Sequence, residues 1–456
     1  MVHFLELIFF LLILKAILRC LYFWQLKEYR WDRFREFLKT SQARQYFLPS
    51  RWFLRPKLTF KILLLIYISF YFTIFILNLP NILISPLAAY FFIPLSVTLA
   101  VFLSTPLTGL IIDFIIFLAK LKMKFMPKTL IIIGITGSYG KTSVKEILAH
   151  LLSAKYSVCK TPGTDNTAIG VAKTILKELK KSHQVFVVEM GAYKPGEIKQ
   201  ICKIVRPSIG IITGITSQHL GLFGSLENII KTKYELIRAL PKDGLAVFNG
   251  QDPQTLKLAK ETERLKTLLY HQPKAPYPTN LLGDYQQINL QAAVKLAQKL
   301  GISMRQIKKR LKNIPGFKTM LVLKKGINQS IILDNTYNAN PQGFKAVIKH
   351  LKTQPAPYKL LITSGIIELG QVTETIHQQL TKQALKVFDE IILTKKDVAD
   401  IFLASQPKKS KVKISFQPNS KQLLAYLKKN LKPKSTILLA SRLPQKFVNH
   451  LCKNPS

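Results

Sequence analysis

The chain is short of acids, cysteines and tryptophans. Only 24 of its 456 residues are Asp or Glu, against 67 Lys or Arg, giving a formal net charge of +43. Its four cysteines (Cys20, Cys159, Cys202, Cys452) show neither metal-ligand spacing nor a disulfide framework. That excludes a disulfide-stapled scaffold and fits a reducing compartment. No zinc-finger spacing, RNA-recognition signature or basic stripe interleaved with aromatics is present, so the excess charge does not read as a nucleic-acid surface. Attraction to anionic lipid headgroups, or general lysine richness, accounts for it. A composition that is 48% hydrophobic and 10% aromatic excludes a disordered or collagen-like chain.

The most informative absence lies near the front. From Ile62 to Ile112, 51 residues pass without one Asp, Glu, Lys, Arg or His. A membrane-crossing helix takes about 20 apolar residues, so this run predicts two spans, about 60–79 and 83–104, with a turn at Asn78–Asn81 around Pro80. A further apolar stretch, about 4–24, is followed by no small-residue cleavage site and reads as an uncleaved anchor. Between them, residues 25–57 hold nine basic and three acidic side chains, which places that segment on the cytoplasmic side. Residues 107–119 contain Asp113 and are too short for another span, so they read as interfacial. The expectation is a multi-pass region, 1–128, in the cell inner (plasma) membrane with lipids as partners. The rest of the chain then lies in the cytoplasm.

After Met126 the pattern changes to short apolar runs alternating with amphipathic stretches. Strands are predicted over 129–135, 185–189, 209–213, 331–333, 359–363, 390–393 and 436–439, with a helix over 143–154. This is an α/β pattern with parallel sheets and crossover helices. Pro315-Gly316 interrupts it, which divides the remainder into units 129–314 and 315–456.

The strongest local signal is Gly134-Ile-Thr-Gly-Ser-Tyr-Gly-Lys-Thr-Ser143, after a strand and opening a helix. Gly137, Ser138 and Gly140 leave backbone N–H groups free to wrap a phosphate, at a helix N-terminus whose dipole favours anions. Lys141 would reach the outer phosphates, and the Thr142 hydroxyl would hold Mg2+, with Ser143 beside them. The strict phosphate-loop pattern fails at Ile135, which stands where its first glycine belongs. Glu189 ends an apolar strand beside this loop, where a metal-holding acid belongs. His219 follows another strand; a lone loop histidine is ordinarily solvated. Lys233, taken alone, reads as one more lysine on a solvated helix face.

Together these residues resemble the Mur ligase family, whose phosphate loop reads T-G-x-x-G-K-T-S. The likeness is greatest to its D-alanyl-D-alanine-adding branch. Glu189-Met-Gly-Ala with Gly196-Glu-Ile, and His219-Leu-Gly-Leu-Phe-Gly-Ser, are similar to family segments, and Lys233 falls on the lysine that follows. Asp334-Asn-Thr-Tyr-Asn-Ala-Asn-Pro341 and Glu368-Leu-Gly370 with His377 are similar to branch-specific stretches. The resemblance runs from about 129 to 450. It implies a central ATP-binding domain at 129–314 and a Rossmann-like C-terminal domain at 315–456. It also implies an ATP-dependent, ADP-forming amide ligase that works through an acyl phosphate, with ATP and Mg2+ as cofactors. Its partners would be a peptidoglycan-precursor peptide, UDP- or lipid-linked, and an amine such as D-Ala-D-Ala.

Residue by residue, the resemblance puts Thr142 and Glu189 on one Mg2+ and His219 on a second. Lys233 falls on a position that is carbamylated in several relatives. Asn249, Asn289 and Asp334 would face nucleotide, and Asn166, Tyr337, Asn338, Asn340 and Arg442 the substrates. Departures accompany the matches. Only Asn166 survives of three asparagines, with Thr164 and Thr167 at the other positions. Gln251 replaces an acid, Tyr285 a histidine and Leu439 a lysine. The membrane region stands where the family carries its UDP-sugar-binding domain, which suggests a lipid-linked acceptor. Two other functions share part of this pattern: a membrane polyglutamate-type synthetase, and a non-catalytic nucleotide-binding scaffold for cell-wall enzymes.

Overall fold

The computed structural model describes residues 2–38, 43–48, 54–77, 86–216, 220–279, 281, 285–315, 317, 321–336, 341–366, 369 and 372–452. The chain divides into two compact units, 1–115 and 116–456.

The first unit is helical. Helices Val2–Leu26, Trp31–Leu38, Arg44–Phe47, Phe60–Leu77 and the start of Pro86–Lys124 enclose Ile17, Leu21, Trp24, Phe34, Tyr46, Ile62, Leu65 and Val97. Trp24 and Phe34 stack with ring centroids 3.8 Å apart, and the Tyr46 hydroxyl donates to the Pro94 carbonyl at 2.9 Å. Stretches Leu7–Leu26 and Phe92–Lys124 are long and apolar enough to cross a membrane; Phe60–Ile76 is apolar but shorter.

The described residues of the third predicted span, 83–104, and the segment 107–119 fall on a single stretch of helix. Both belong to one 39-residue helix, Pro86–Lys124. Counting apolar residues finds where a helix can sit in lipid, but not where it stops. The helix continues past Asp113, which is exposed, and past Pro94 and Pro106, each of which removes one ladder hydrogen bond without ending it. The predicted turn at 78–81 lies outside the described residues.

The second unit holds two six-stranded sheets. Strands β1 (Ile131–Thr136), β2 (Val158–Lys160), β3 (Val185–Glu189), β4 (Ile209–Ile212), β5 (Leu245–Asn249) and β6 (Lys266–Tyr270) form the first. It is parallel throughout, in the order β2-β3-β1-β4-β5-β6. Strands β7 (Val322–Lys325), β8 (Ile331–Asn335), β9 (Lys359–Thr363), β10 (Glu390–Leu393), β11 (Lys413–Phe416) and β12 (Thr436–Ala440) form the second. Its order is β11-β10-β9-β12-β8-β7, parallel except for β7 at the edge.

Helix Lys141–Leu152 packs Val144, Ile147, Leu148 and Leu151 against β1 and β3. Helix Tyr285–Lys299 adds Leu290, Ala293, Val294 and Ala297 to the same core. In the first sheet the chain turns from β1 to one side and later crosses to β4 on the other. The carboxyl end of β1 therefore lies at the switch point, between the ends of β3 and β4, where open α/β sheets bind ligands.

Candidate active site

Register places the site. Ile135 of β1 pairs with Glu189 of β3, and Thr136 pairs with Ile212 of β4, so the loop 137–140 leaves the sheet between Glu189 and Thr213. Gly137 (φ 150°) and Gly140 (φ 77°) adopt backbone that L side chains rarely take. A side chain on Gly140 would also press on Asn289 Oδ1 at 2.7 Å, which puts Asn289 against the loop. Asn289 donates to Gln286 Oε1 at 3.1 Å. The loop is pinned by Ser138 N donating to Gly214 O at 2.7 Å and by the Ser138 hydroxyl donating to Thr216 O at 3.3 Å.

Three predicted residues meet here. The Thr142 hydroxyl donates to Glu189 Oε1 at 3.0 Å, and Asn166 Nδ2 donates to the same oxygen at 3.1 Å. Lys141 Nζ folds back onto Gly137 O at 2.7 Å. Burial pushes the Lys141 ammonium below its ordinary range, and the Glu189 charge opposes this. Ser143 is buried on the first turn of the same helix.

Glu189 is 1% exposed, and its Oε2 accepts no hydrogen bond among the described residues. Lys145 Nζ lies 3.2 Å from Oε2, close enough for an ion pair but not aligned for a hydrogen bond. A buried carboxylate with an open lone pair beside a threonine hydroxyl is a donor set that suits a hard divalent cation, so the residues present fit Mg2+.

Lys233 corrects an expectation. It is 4% exposed, not solvated. Its spacing from Ile229, Leu236 and Ile237 sets it on the buried stripe of helix Leu226–Arg238. Burial pushes its pKa down to about 7; the Lys141 charge adds to this, and Glu197 and Glu235 oppose it. Those acids are themselves held in place. Glu197 Oε2 accepts from Tyr193 N at 2.7 Å, and Glu235 accepts from Gly196 N at 2.7 Å and Lys199 N at 2.8 Å. His219 lies outside the described residues.

Asn249, expected from the resemblance to face nucleotide, is 3% exposed and already engaged. It donates to Thr213 O at 3.0 Å and accepts from Gln251 N at 3.0 Å. Asp252 caps helix Pro253–Lys260 by accepting from Thr255 N at 2.9 Å. Its other oxygen accepts from Ile215 N at 3.1 Å and from the Tyr139 hydroxyl at 3.0 Å.

The second sheet brings a different set to its carboxyl edge. Asp334 Oδ2 pairs with Lys324 at 2.6 Å, and Oδ1 accepts from Thr336 N and Oγ1 at 3.0 and 2.7 Å. Burial raises its pKa, but these bonds outweigh that and hold the carboxyl below its ordinary range. Fully buried His377 accepts from Ile366 N on Nε2 at 3.0 Å, while Nδ1 lies 2.7 Å from Thr373 O. That pattern requires the neutral ring with Nδ1 as donor, and burial lowers its pKa accordingly. Arg442, at the exit of β12, is exposed, and its carbonyl accepts from the Ser364 hydroxyl at 3.2 Å. Tyr337, Asn338, Asn340, Glu368 and Gly370 lie outside the described residues.

Two features went unread in the sequence. Lys145 is fully buried among Glu189, Glu146 and the Gly163 carbonyl. Its spacing from Leu148 and Leu152 was the available signal, because it puts a lysine on the core face of the helix. Thr167, which departs from the family pattern, caps helix Ala168–Lys177 by accepting from Gly170 N at 3.3 Å.

Residues 135–276 match the Mur ligase middle domain, and residues 320–443 match the Mur ligase glutamate ligase domain. The chain is 31% identical over 275 residues to the UDP-N-acetylmuramoyl-tripeptide–D-alanyl-D-alanine ligase of Synechocystis; the match covers 55% of this chain and 59% of the relative. Among solved structures it is similar to MurF from Acinetobacter baumannii, with TM-score 0.66 and 26% identity over 74% of this chain and 79% of that one. It is also similar to MurF ligase from Thermotoga maritima in complex with ADP, with TM-score 0.62 and 26% identity over 75% and 83%. The chain spans about three fifths of the length of the curated relatives it matches.

Proposed function

The chain belongs to the Mur ligase family, and from that premise we propose that it is an ATP-dependent, ADP-forming amide ligase. It would join D-Ala-D-Ala, or a related amine, to a peptidoglycan-precursor peptide. The observation that carries this reading is the buried Glu189 carboxylate, hydrogen-bonded to Thr142 directly beside the Lys141 loop. A carboxylate does not condense with an amine at neutral pH, so the acceptor acid must first take the γ-phosphoryl group of ATP as an acyl phosphate. That transfer depends on positioning and on cations facing the phosphate oxygens.

In this reading Lys141 leaves Gly137 O to neutralise the outer phosphates, while the backbone of 137–140 cradles them. Thr142 and Glu189 would hold Mg2+, which would supply charge stabilisation on the phosphates, and His219 is assigned to a second ion. Lys233 is buried, with its pKa pushed down to about 7, and a neutral amine is the form that adds CO2. Carbamylation would turn a misplaced cation into a carboxylate. Asn289, Asn249 and Asp334 are assigned to the nucleotide, and Asn166, Tyr337, Asn338, Asn340 and Arg442 to the substrates.

We further assign the N-terminal helical region to the membrane, with the two sheets on its cytoplasmic side. Supporting this are the charge-free run 62–112 and the exposed apolar side chains along Pro86–Lys124, among them Leu95, Phe102, Leu103, Phe114 and Phe117. Such a surface belongs in lipid. A membrane-held ligase has its acceptor to hand if that acceptor is lipid-linked.

The test is phosphate release by the detergent-solubilised chain with ATP and Mg2+, D-Ala-D-Ala, and either a UDP-linked or a lipid-linked muramoyl peptide. Release that needs both amine and acceptor, and is lost in Lys141→Ala, is the expected result. Preference for the soluble acceptor overturns the lipid-linked assignment. No release with either acceptor overturns the ligase.

A further inference from the structure

Lys145 is the most deeply buried charge near the site, and the reaction as described makes no use of it. Its side chain is 0% exposed. Its ammonium donates to Gly163 O at 2.5 Å and lies at ion-pair distance from Glu189 Oε2 at 3.2 Å and Glu146 Oε1 at 3.4 Å. Glu146 is shared with Lys160 through its other oxygen. If Lys145 served only to neutralise a buried acid, Glu146 alone would satisfy it. If the site were tuned only for cation affinity, an ammonium 3.2 Å from the metal-holding carboxylate would work against it. What neither account explains is the third partner, a backbone carbonyl of the loop 161–167.

That loop is bound to Glu189 from several sides. Thr161 Oγ1 accepts from Glu189 N at 3.0 Å, Asn166 Nδ2 donates to Glu189 Oε1 at 3.1 Å, and Asn166 O accepts from Gly191 N at 2.7 Å. Lys145 closes the ring from beneath by bridging Gly163 O to Glu189 Oε2. The carboxylate therefore has one oxygen toward Thr142 and Asn166 and the other toward Lys145.

We propose that Lys145 is a positioning residue that couples a divalent cation on Glu189 to the order of the loop 161–167. The inference rests on the assignment of Glu189 to the metal. A cation drawing on Glu189 competes with Lys145 for the same carboxylate, and the ammonium then leans more fully on Gly163 O and Glu146. The loop that carries Asn166 tightens as the metal binds, so the acceptor side of the site is ordered only once the phosphate side is loaded.

The experiment uses the full chain in detergent with Mn2+ alone as the probe. Bound ion is counted by electron paramagnetic resonance, and amide exchange is followed at Asp165, Asn166 and Gly191. In the wild type, Mn2+ is expected to slow exchange at these amides about tenfold. Lys145→Met is expected to bind Mn2+ but lose the slowing, and Lys145→Arg, which keeps the cation, to regain it. Bound Mn2+ with no change in the wild-type loop overturns the coupling alone, as does slowing in Lys145→Met equal to the wild type. Absence of Mn2+ binding by the wild type overturns the coupling and the metal assignment together. Should Lys145→Met fail to fold, the wild-type titration and Lys145→Arg still decide the matter.

Discussion

At the carboxyl edge of the first sheet, charge is buried: Glu189, Lys145 and Lys233 are each no more than 4% exposed, and Lys141 folds inward beside them. At the same edge of the second sheet the most deeply buried polar groups are neutral, and the charged pair there, Lys324 with Asp334, is only partly buried, at 33% and 12% exposed. Thr363, Ser364, His377 and Ser441 hydrogen-bond to one another's loops, and the cation Arg442 stays exposed. Buried unpaired charge is expensive and conformationally demanding, so it belongs where charge must be stabilised during reaction. Neutral hydrogen bonds make a rigid frame from which an exposed arginine can meet a substrate. On the function proposed above, the difference implies a division of labour, chemistry at the first edge and presentation at the second, and substitutions at each edge should separate the two.

The largest effect is expected at the first edge. Lys141→Ala should reduce phosphate release by roughly 10²–10³-fold, the usual cost of removing a preorganised charge stabiliser, while leaving the melting temperature nearly unchanged. A large fall in melting temperature would mean that Lys141 is a structural strut, and the contrast between the edges would collapse. His377→Leu should do the reverse. It strips the partner from Ile366 N in a fully buried site, at a cost of about 1–3 kcal/mol, while activity per folded molecule persists. Thermal melts and phosphate release on the same samples distinguish the two patterns.

Lys233 sharpens the contrast through pH. Its folded pKa of about 7 lies below its ordinary 10.5. Below pH 7 both folded and unfolded states hold the proton. Between 7 and 10.5 the unfolded chain holds a proton the folded chain has released, so stability rises with pH across that window. The wild-type melting temperature should therefore climb more from pH 7 to pH 9 than that of Lys233→Met. Bicarbonate should restore activity to depleted wild type more fully at pH 8 than at pH 6, and do nothing for Lys233→Met. Parallel melting curves for the two chains would remove Lys233 from the argument.

How far the sequence carries depends on burial. The strands 185–189, 359–363 and 390–393 coincide with β3, β9 and β10 because a parallel strand covered on both faces reads as an unbroken apolar run. The strands left unread include β2, β6, β7 and β11, and these are the edges of the two sheets. Their lysines, as in Lys324-Lys325 of β7 and Lys413 of β11, belong to half-exposed strands that the same rule passes over. The site shows the same limit. Gly137 to Thr142 and Glu189 were legible from local pattern. Lys145, Tyr139 with Asp252, and Lys324 with Asp334 depend on pairings across 44, 113 and 10 residues of sequence, which no local pattern announces.

The smallest expected effect falls on Tyr139. Its hydroxyl donates to Asp252 Oδ2 at 3.0 Å, and burial, with the Asp252 charge adding, raises its pKa well above the ordinary range. The tyrosine therefore stays a donor at any working pH. Tyr139→Phe removes this bond, but Asp252 Oδ2 still accepts from Ile215 N and Oδ1 from Thr255 N. The loss should be about 0.5–1.5 kcal/mol. The ring itself packs against Gly214, where even a methyl group would collide with it, and phenylalanine keeps that contact. If the first edge works because its charges are locked by many partners, the loop should survive the loss of one neutral bond, with ATP affinity reduced only a few-fold. A fall in ATP affinity as large as that in Lys141→Ala would mean that the loop's shape depends on a single hydroxyl. The first edge would then depend on neutral hydrogen bonds just as the second does.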